Sequence, residues 1–75
     1  MAKSSIRNGI RKLRFLNGEM TQQSLAEKVG VTRQTIHHLE TEKYSPSLEL
    51  AFRIARVFNM PLDDIFQYEP DTLQK

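Results

Sequence analysis

The chain has 75 residues, 39% of them hydrophobic, 27% charged and none cysteine. One small core is all it can support, and disulfides and thiolate metal sites are excluded. The net charge of +2 is unevenly spread. Residues 1–43 hold eight Lys/Arg and four Asp/Glu, whereas residues 44–75 hold three and five. A basic front half suits one face turned toward a polyanion, and ordinary scatter of surface charge fits the numbers equally well. The start, Met1 to Arg7, lacks the apolar run of a signal peptide, and no stretch approaches the ~20 apolar residues of a membrane span. A cytoplasmic location is expected. So is a single unit over 1–75, because no linker, repeat or low-complexity segment is visible.

Ser5 to Arg7 is short and partly extended in character. Asn8 is a good N-cap, and Ile10, Leu13 and Asn17 follow helical spacing. Asn17-Gly18 ends that first helix. Thr21 caps a second helix with Leu25, Ala26 and Val29 on its inner face. Gly30 falls where the chain must turn through a left-handed conformation, which costs glycine little. Thr32 caps a third helix running to about Thr41. Its buried stripe is Val31, Ile36 and Leu39.

Glu42 to Pro46 is a polar loop, and Ser47 caps a fourth helix. The spacing predicts Leu48, Ala51, Ile54, Ala55 and Phe58 on its inner face, with Leu50 and Val57 as a second apolar patch. Pro61 is expected as the first residue of a short fifth helix. Asp63 and Asp64 lie in its first turn, where carboxylates favour the helix dipole. Phe66-Gln67-Tyr68 alternates apolar and polar, and fits a short strand or an extended tail. Glu69 to Lys75 reads as a frayed end.

The segment 21–40 carries the functional signal. Ala26 lets two helices cross closely, Gly30 makes the sharp turn, and Ile36 anchors the third helix on the core. That combination is a helix-turn-helix pattern. A helical hairpin for protein contacts would show the same pattern. The outward face of the third helix tips the balance. Thr32, Arg33, Gln34, Thr35, His37 and His38 all form hydrogen bonds and include no carboxylate. Arg33 and Gln34 occupy the first turn, which enters a major groove first. Arg can donate twice to guanine, and Gln can bond adenine in both directions. His38 lies one turn beyond Gln34. Thr21 and Gln22 open the second helix, where amide N–H groups favour a phosphate.

The segment TQQSLAEKVGVTRQTIHHLE, followed by YSPSLELAFRIARVFNMPLDDIF, resembles the Cro/repressor-type helix-turn-helix family of bacterial and phage regulators, also called the xenobiotic-response-element family. The resemblance spans roughly Ile10 to Phe66. It implies an all-α, five-helix bundle of the lambda-repressor-like type that binds double-stranded operator DNA as a homodimer. Its base-reading positions fall on Arg33, Gln34 and His38. Backbone-contacting positions fall on Gln22, His37, Thr41 and Lys43, beside Thr21 and Thr32 at the helix starts. The family often pairs an arginine of the first helix with a glutamate ending the third; Glu40 stands at the second place directly, Arg14 at the first if the chain's extra residue lies after it, and the alternative is two surface charges. One departure is visible: one residue more than the commonest family spacing lies between Leu13 and Thr21.

Other chemistries find little support. His37 and His38 point about 100° apart and cannot chelate one ion well. His38 and Glu42, four residues apart, lack a third ligand. No metal, cofactor or small-molecule ligand is expected. Asp63 and Asp64 are helix-start residues rather than an acid–base pair, and no catalytic constellation is recognisable. Apolar residues crowd the segment 58–70. Met60, Leu62, Ile65, Phe66 and Tyr68 are expected at a dimer interface that buries them. Alternatively, Phe66 and Tyr68 fold back and pair with Ser5–Arg7 as a ribbon, and both arrangements are compatible. The expected function is a sequence-specific transcriptional repressor. The rivals are an antitoxin of the same fold, which calls for a longer free tail than the few residues after Tyr68, and an adaptor with no affinity for any duplex.

Overall fold

The computed structural model describes residues 5–69. Its elements run β1 (Ile6–Asn8), α1 (Ile10–Leu16), α2 (Gln22–Val29), α3 (Arg33–Glu40), α4 (Leu48–Phe58), α5 (Leu62–Ile65) and β2 (Phe66–Tyr68). The two strands form an antiparallel ribbon with Ile6 opposite Tyr68, Arg7 opposite Gln67 and Asn8 opposite Phe66. The ribbon therefore sits one residue later than the expected Ser5–Arg7 pairing. Glu69 N–H extends it by donating to Ser5 O at 2.8 Å. That residue is held rather than frayed, and residues 70–75 of the expected frayed end lie outside the described residues.

Three hydroxyl caps start the main helices as the sequence indicates. Thr21 Oγ1 accepts from Ser24 N, Thr32 Oγ1 from Thr35 N and Ser47 Oγ from Leu50 N, at 2.9, 3.2 and 3.1 Å. Each satisfies an amide that the helix itself cannot. Gly30 stops α2 at φ +78°, with its own N–H and that of Val31 both returning to Ala26 O. Asn59 ends α4 the same way at φ +55°. Two expected helix starts are displaced. Asn8 belongs to β1, and Gly9 takes the position before α1, although Asn8 Oδ1 still accepts from Ile10 N at 3.1 Å. Pro61 stands just before α5 with extended ψ of 149°, so that helix begins at Leu62.

The core gathers Ile10, Leu25, Ala26, Val29, Ile36, Leu39, Ile54, Ala55, Phe58 and Ile65. The expected inner faces of α2 and of Ile36 and Leu39 on α3 are buried, Leu13 and Val31 are half-buried against the core, Asn17 is exposed, and α4 needs one correction. Leu50 is buried, while Leu48, expected inside, is 66% exposed. Leu50, Ile54, Val57 and Phe58 share one stripe at three- and four-residue spacing, and Leu48 lies off it. A second correction concerns Ile65. It is fully buried inside its own protomer and offers nothing to a partner.

Candidate nucleic-acid interface

The α2–turn–α3 unit is fixed from three sides. Ala26 and Val29 pack beneath the turn with Ile36 and Leu39 of α3. Arg53 reaches over from α4 and donates from Nη1 to Val29 O at 3.1 Å, satisfying a helix-end carbonyl. The same nitrogen would lie 3.2 Å from a Cβ at position 30, so glycine there serves both the left-handed backbone and this approach.

Arg14 and Glu40 lock α1 to the end of α3. Arg14 Nε donates to Glu40 Oε2 at 2.6 Å and Nη2 to Oε1 at 2.9 Å, while Nη1 donates to Met20 O at 2.8 Å. The side chains are only 14% and 6% exposed. Both sides of the guanidinium fork are thus used, one on the carboxylate and one on the loop after α1. Gly18 and Glu19 take left-handed φ values of +77° and +56° in that loop, so its irregular backbone lies after Arg14 and leaves the pair intact. Gln22 joins the network from α2, donating from Nε2 to Glu40 Oε1 at 3.0 Å.

The third helix turns Arg33, Gln34 and His37 to solvent. Arg33 and Gln34 have no hydrogen bond or ion pair among the described residues, so their donors and acceptors are unspent. His38 is half-buried, with its ring edge-on to Tyr44 at 6.3 Å between centroids. The sequence marks Tyr44 only as part of a polar loop, and its contact with His38 lies beyond the reach of the helical period. Glu42, a weak metal candidate with His38, is engaged elsewhere: it lies 3.6 Å from Arg7 Nε and accepts from Asn8 N.

The backbone-contact candidates divide by what their side chains already do. Thr21 and Thr32 accept amide protons as caps. Thr21 thereby keeps its O–H proton for an outside acceptor, while Thr32 shares a 3.0 Å hydroxyl contact with Thr35. Thr41 donates to His38 O at 3.2 Å. Gln22 is tied to Glu40, but its main-chain N–H, in the first turn of α2, has no intrahelical partner. Lys43 is exposed, with its main-chain N–H bound to His38 O just past α3.

Arg11 was missed. It is exposed on α1 and lines a cleft with Arg14, Gln22, His37, Glu40 and Thr41. Nothing in the helical spacing of α1 links it to residues 26 or more positions away. The expected interface apolar residues also need redrawing. Met60, Leu62 and Phe66 are half-buried and Tyr68 is 70% exposed, but Leu48 and Phe52, at 66% and 50%, expose more apolar surface on α4. One groove is lined by Ile6, Leu48, Ala51, Leu62 and Phe66 with Ser45 and Pro46 at its side, and a neighbouring one by Phe52, Ala55, Met60 and Leu62 together with Arg56, Asn59 and Pro61. Leu62 joins the two into one apolar face.

Comparison with known proteins agrees with this architecture. The helix-turn-helix family model HTH_3 matches residues 10–65. An uncharacterised HTH-type transcriptional regulator of Archaeoglobus fulgidus is 52% identical over 68 residues, covering 91% of this chain and 96% of its own. One from Methanocaldococcus jannaschii is 48% identical over 66 residues, 88% of this chain and 98% of its own. YgzD of Bacillus subtilis, likewise an uncharacterised HTH-type regulator, is 41% identical with the same coverage. Among solved structures, a candidate DNA-binding protein from Bacteroides fragilis superposes with a TM-score of 0.70 at 24% identity, over 83% of this chain and 98% of that one. With five helices among the described residues, a glycine turn at position 30 and an outward polar face on α3, the chain belongs to the Cro/C1-type helix-turn-helix family of DNA-binding regulators.

Proposed function

We propose that this protein is a sequence-specific transcriptional repressor that binds a near-palindromic operator as a homodimer in the cytoplasm. One observation carries the reading. Arg33 and Gln34 stand exposed at the start of α3 with their side-chain donors and acceptors unspent among the described residues, on a helix whose other side is anchored by Ile36, Leu39 and the Arg14–Glu40 pair. A fixed helix with free donors at its leading turn suits reading base edges. In this reading Arg33, Gln34 and His38 read bases. Thr21, Thr32, His37 and Lys43 meet the sugar–phosphate backbone, Gln22 meets it through its main-chain N–H, and Thr41 borders it with its hydroxyl proton on His38 O. No cofactor, membrane or catalytic step enters, and residues 1–75 act as one DNA-binding unit.

The homodimer uses the apolar face of Leu48, Phe52, Leu62 and Phe66, with Met60 and Tyr68 at its edges. Among the described residues, Arg56 is the one charged residue lining the two grooves, and the remaining exposed side chains are largely apolar, as at the centre of a subunit interface. A two-fold dimer repeats its half-site about one helical turn away, ~34 Å or ~10 base pairs. The test is selection of bound duplexes from a random library, followed by footprinting of the winner. Two inverted half-sites at that spacing are expected. An unrepeated half-site bound by a monomer would refute the dimer, and absence of any preferred sequence would refute specific recognition.

A further inference from the structure

A DNA major groove is about 12 Å wide, and an α-helix with its side chains measures about 10–12 Å across. A helix seated there therefore has a phosphate strand against each flank. One flank of α3 is the cleft it forms with α1 and α2, lined by Arg11, Arg14, Gln22, His37, Glu40 and Thr41. The acid in that cleft is already answered. Glu40 accepts from Arg14 on both oxygens and from Gln22 on Oε1. The uncompensated charge left among the lining residues is that of Arg11, which has no hydrogen bond or ion pair among the described residues.

His37 is prepared for the same role. Gln22 Nε2 is oriented by Glu40, and it lies 3.5 Å from His37 Nδ1. An amide nitrogen cannot accept, so this contact forms with Nδ1 as acceptor, in the tautomer that carries its proton on Nε2 and can donate it to a ligand. Gln22 and Thr41 have spent their side-chain donors inside the protein, on Glu40 and on His38 O. Arg11 and His37 have not.

We propose that this cleft seats one phosphodiester of the DNA backbone, with Arg11 supplying the charge and His37 Nε2–H a second donor. The proposal rests on the DNA-binding reading and adds to it a contact from α1. The seat places a fixed phosphate beside the recognition helix and so sets how far along the groove α3 settles, while reading no base itself.

The experiment measures affinity by fluorescence anisotropy at several salt concentrations. The probes are the duplex selected by the parent protein and a random-sequence duplex of equal length. Arg11→Ala should weaken both about tenfold, in line with a charge-assisted hydrogen bond, and lower the slope of log affinity against log salt by about 1. Arg11→Lys should recover the salt slope. Lys12→Ala removes the same charge from the same helix outside the cleft, and should alter the slope by less than half as much. Equal effects of Arg11→Ala and Lys12→Ala would reduce Arg11 to general surface charge and overturn the seat. So would parent-like affinity and slope in Arg11→Ala. A parent protein that binds neither duplex at low salt would overturn the DNA-binding reading and the seat together.

Discussion

Replacing Glu40 by alanine is the sharpest test of how the recognition helix is held. The Arg14 and Glu40 side chains are 14% and 6% exposed, and two hydrogen bonds join them at 2.6 and 2.9 Å. Without the carboxylate, Arg14 keeps only Met20 O among its three contacts, and Gln22 loses its acceptor. Breaking a buried pair from one side costs about 3–5 kcal/mol, because the remaining charge stays desolvated. Arg14 retains one partner and a little solvent access, so the lower end, about 3 kcal/mol, applies. A domain this size has about 4–11 kcal/mol in total. The loss should lower Tm by about 12–24 °C. Urea unfolding followed by circular dichroism reads it directly. The cycle with Arg14→Leu separates pair from parts. The double variant should be more stable than the summed losses imply by about 2–3 kcal/mol, since no buried charge remains. The exposed pair Arg53–Glu49, 52% and 75% exposed, is the internal comparison, and Glu49→Ala should cost no more than about 0.5 kcal/mol. A loss below about 1 kcal/mol for Glu40→Ala, or additive single losses in the cycle, would refute the lock.

Three further outcomes follow from the interface. Gln34→Ala should weaken binding to the selected duplex by about 1–3 kcal/mol and relax base preference at one position, with unfolding unchanged; retained preference in a competition assay would remove Gln34 from the reading set. Lys43→Ala should weaken all duplexes alike and reduce the salt slope by about 1, so selective loss on the preferred duplex would contradict a phosphate contact. Phe52→Glu, at a half-exposed site, should leave the protomer folded but shift it toward monomer in analytical ultracentrifugation, because it places a charge on the apolar face of each subunit. A dimer that persists unaltered in this variant would move the interface elsewhere.

The parts of the fold legible in the sequence are those governed by local chemistry. Thr21, Thr32 and Ser47 announce helix starts because a hydroxyl there answers an amide three residues on. Gly30 announces its turn because the backbone needs positive φ. Errors arise where a choice depends on tertiary neighbours. The run Leu48-Glu49-Leu50 offers two leucines two residues apart. Helical geometry puts them on different faces, and only the position of the core decides which is buried. Pro61 satisfies either of two adjacent places at a helix start, because its fixed φ suits both. Ile65 looked like interface surplus because a count of apolar residues cannot show how deep a one-turn helix sinks. Arg11 was invisible for the opposite reason: its meaning comes from Gln22, His37 and Thr41, which only the folded chain brings beside it.

The same distinction explains how so small a body can hold a reading helix still. Apolar packing anchors one side of α3 through the fully buried Ile36 and Leu39, and its C-terminal end presents the Glu40 carboxylate and the Leu39 carbonyl. Two polar ties reach that end from outside the helix-turn-helix. Arg14 takes Glu40, and Asn8 Nδ2 donates to Leu39 O at 2.8 Å. Asn8 is also the strand residue opposite Phe66, and its Oδ1 accepts from Ile10 N at the start of α1. One asparagine therefore connects the ribbon, the first helix and the end of the third. Phe66 lines the apolar groove with Leu48 and Leu62 that the proposed dimer would fill. Partner contact at that groove would bear on Phe66, through the ribbon on Asn8, and through Asn8 on α3. Within one protomer, then, the ribbon lies between the groove proposed for a partner and the end of α3, joined to the first by Phe66 and to the second by Asn8.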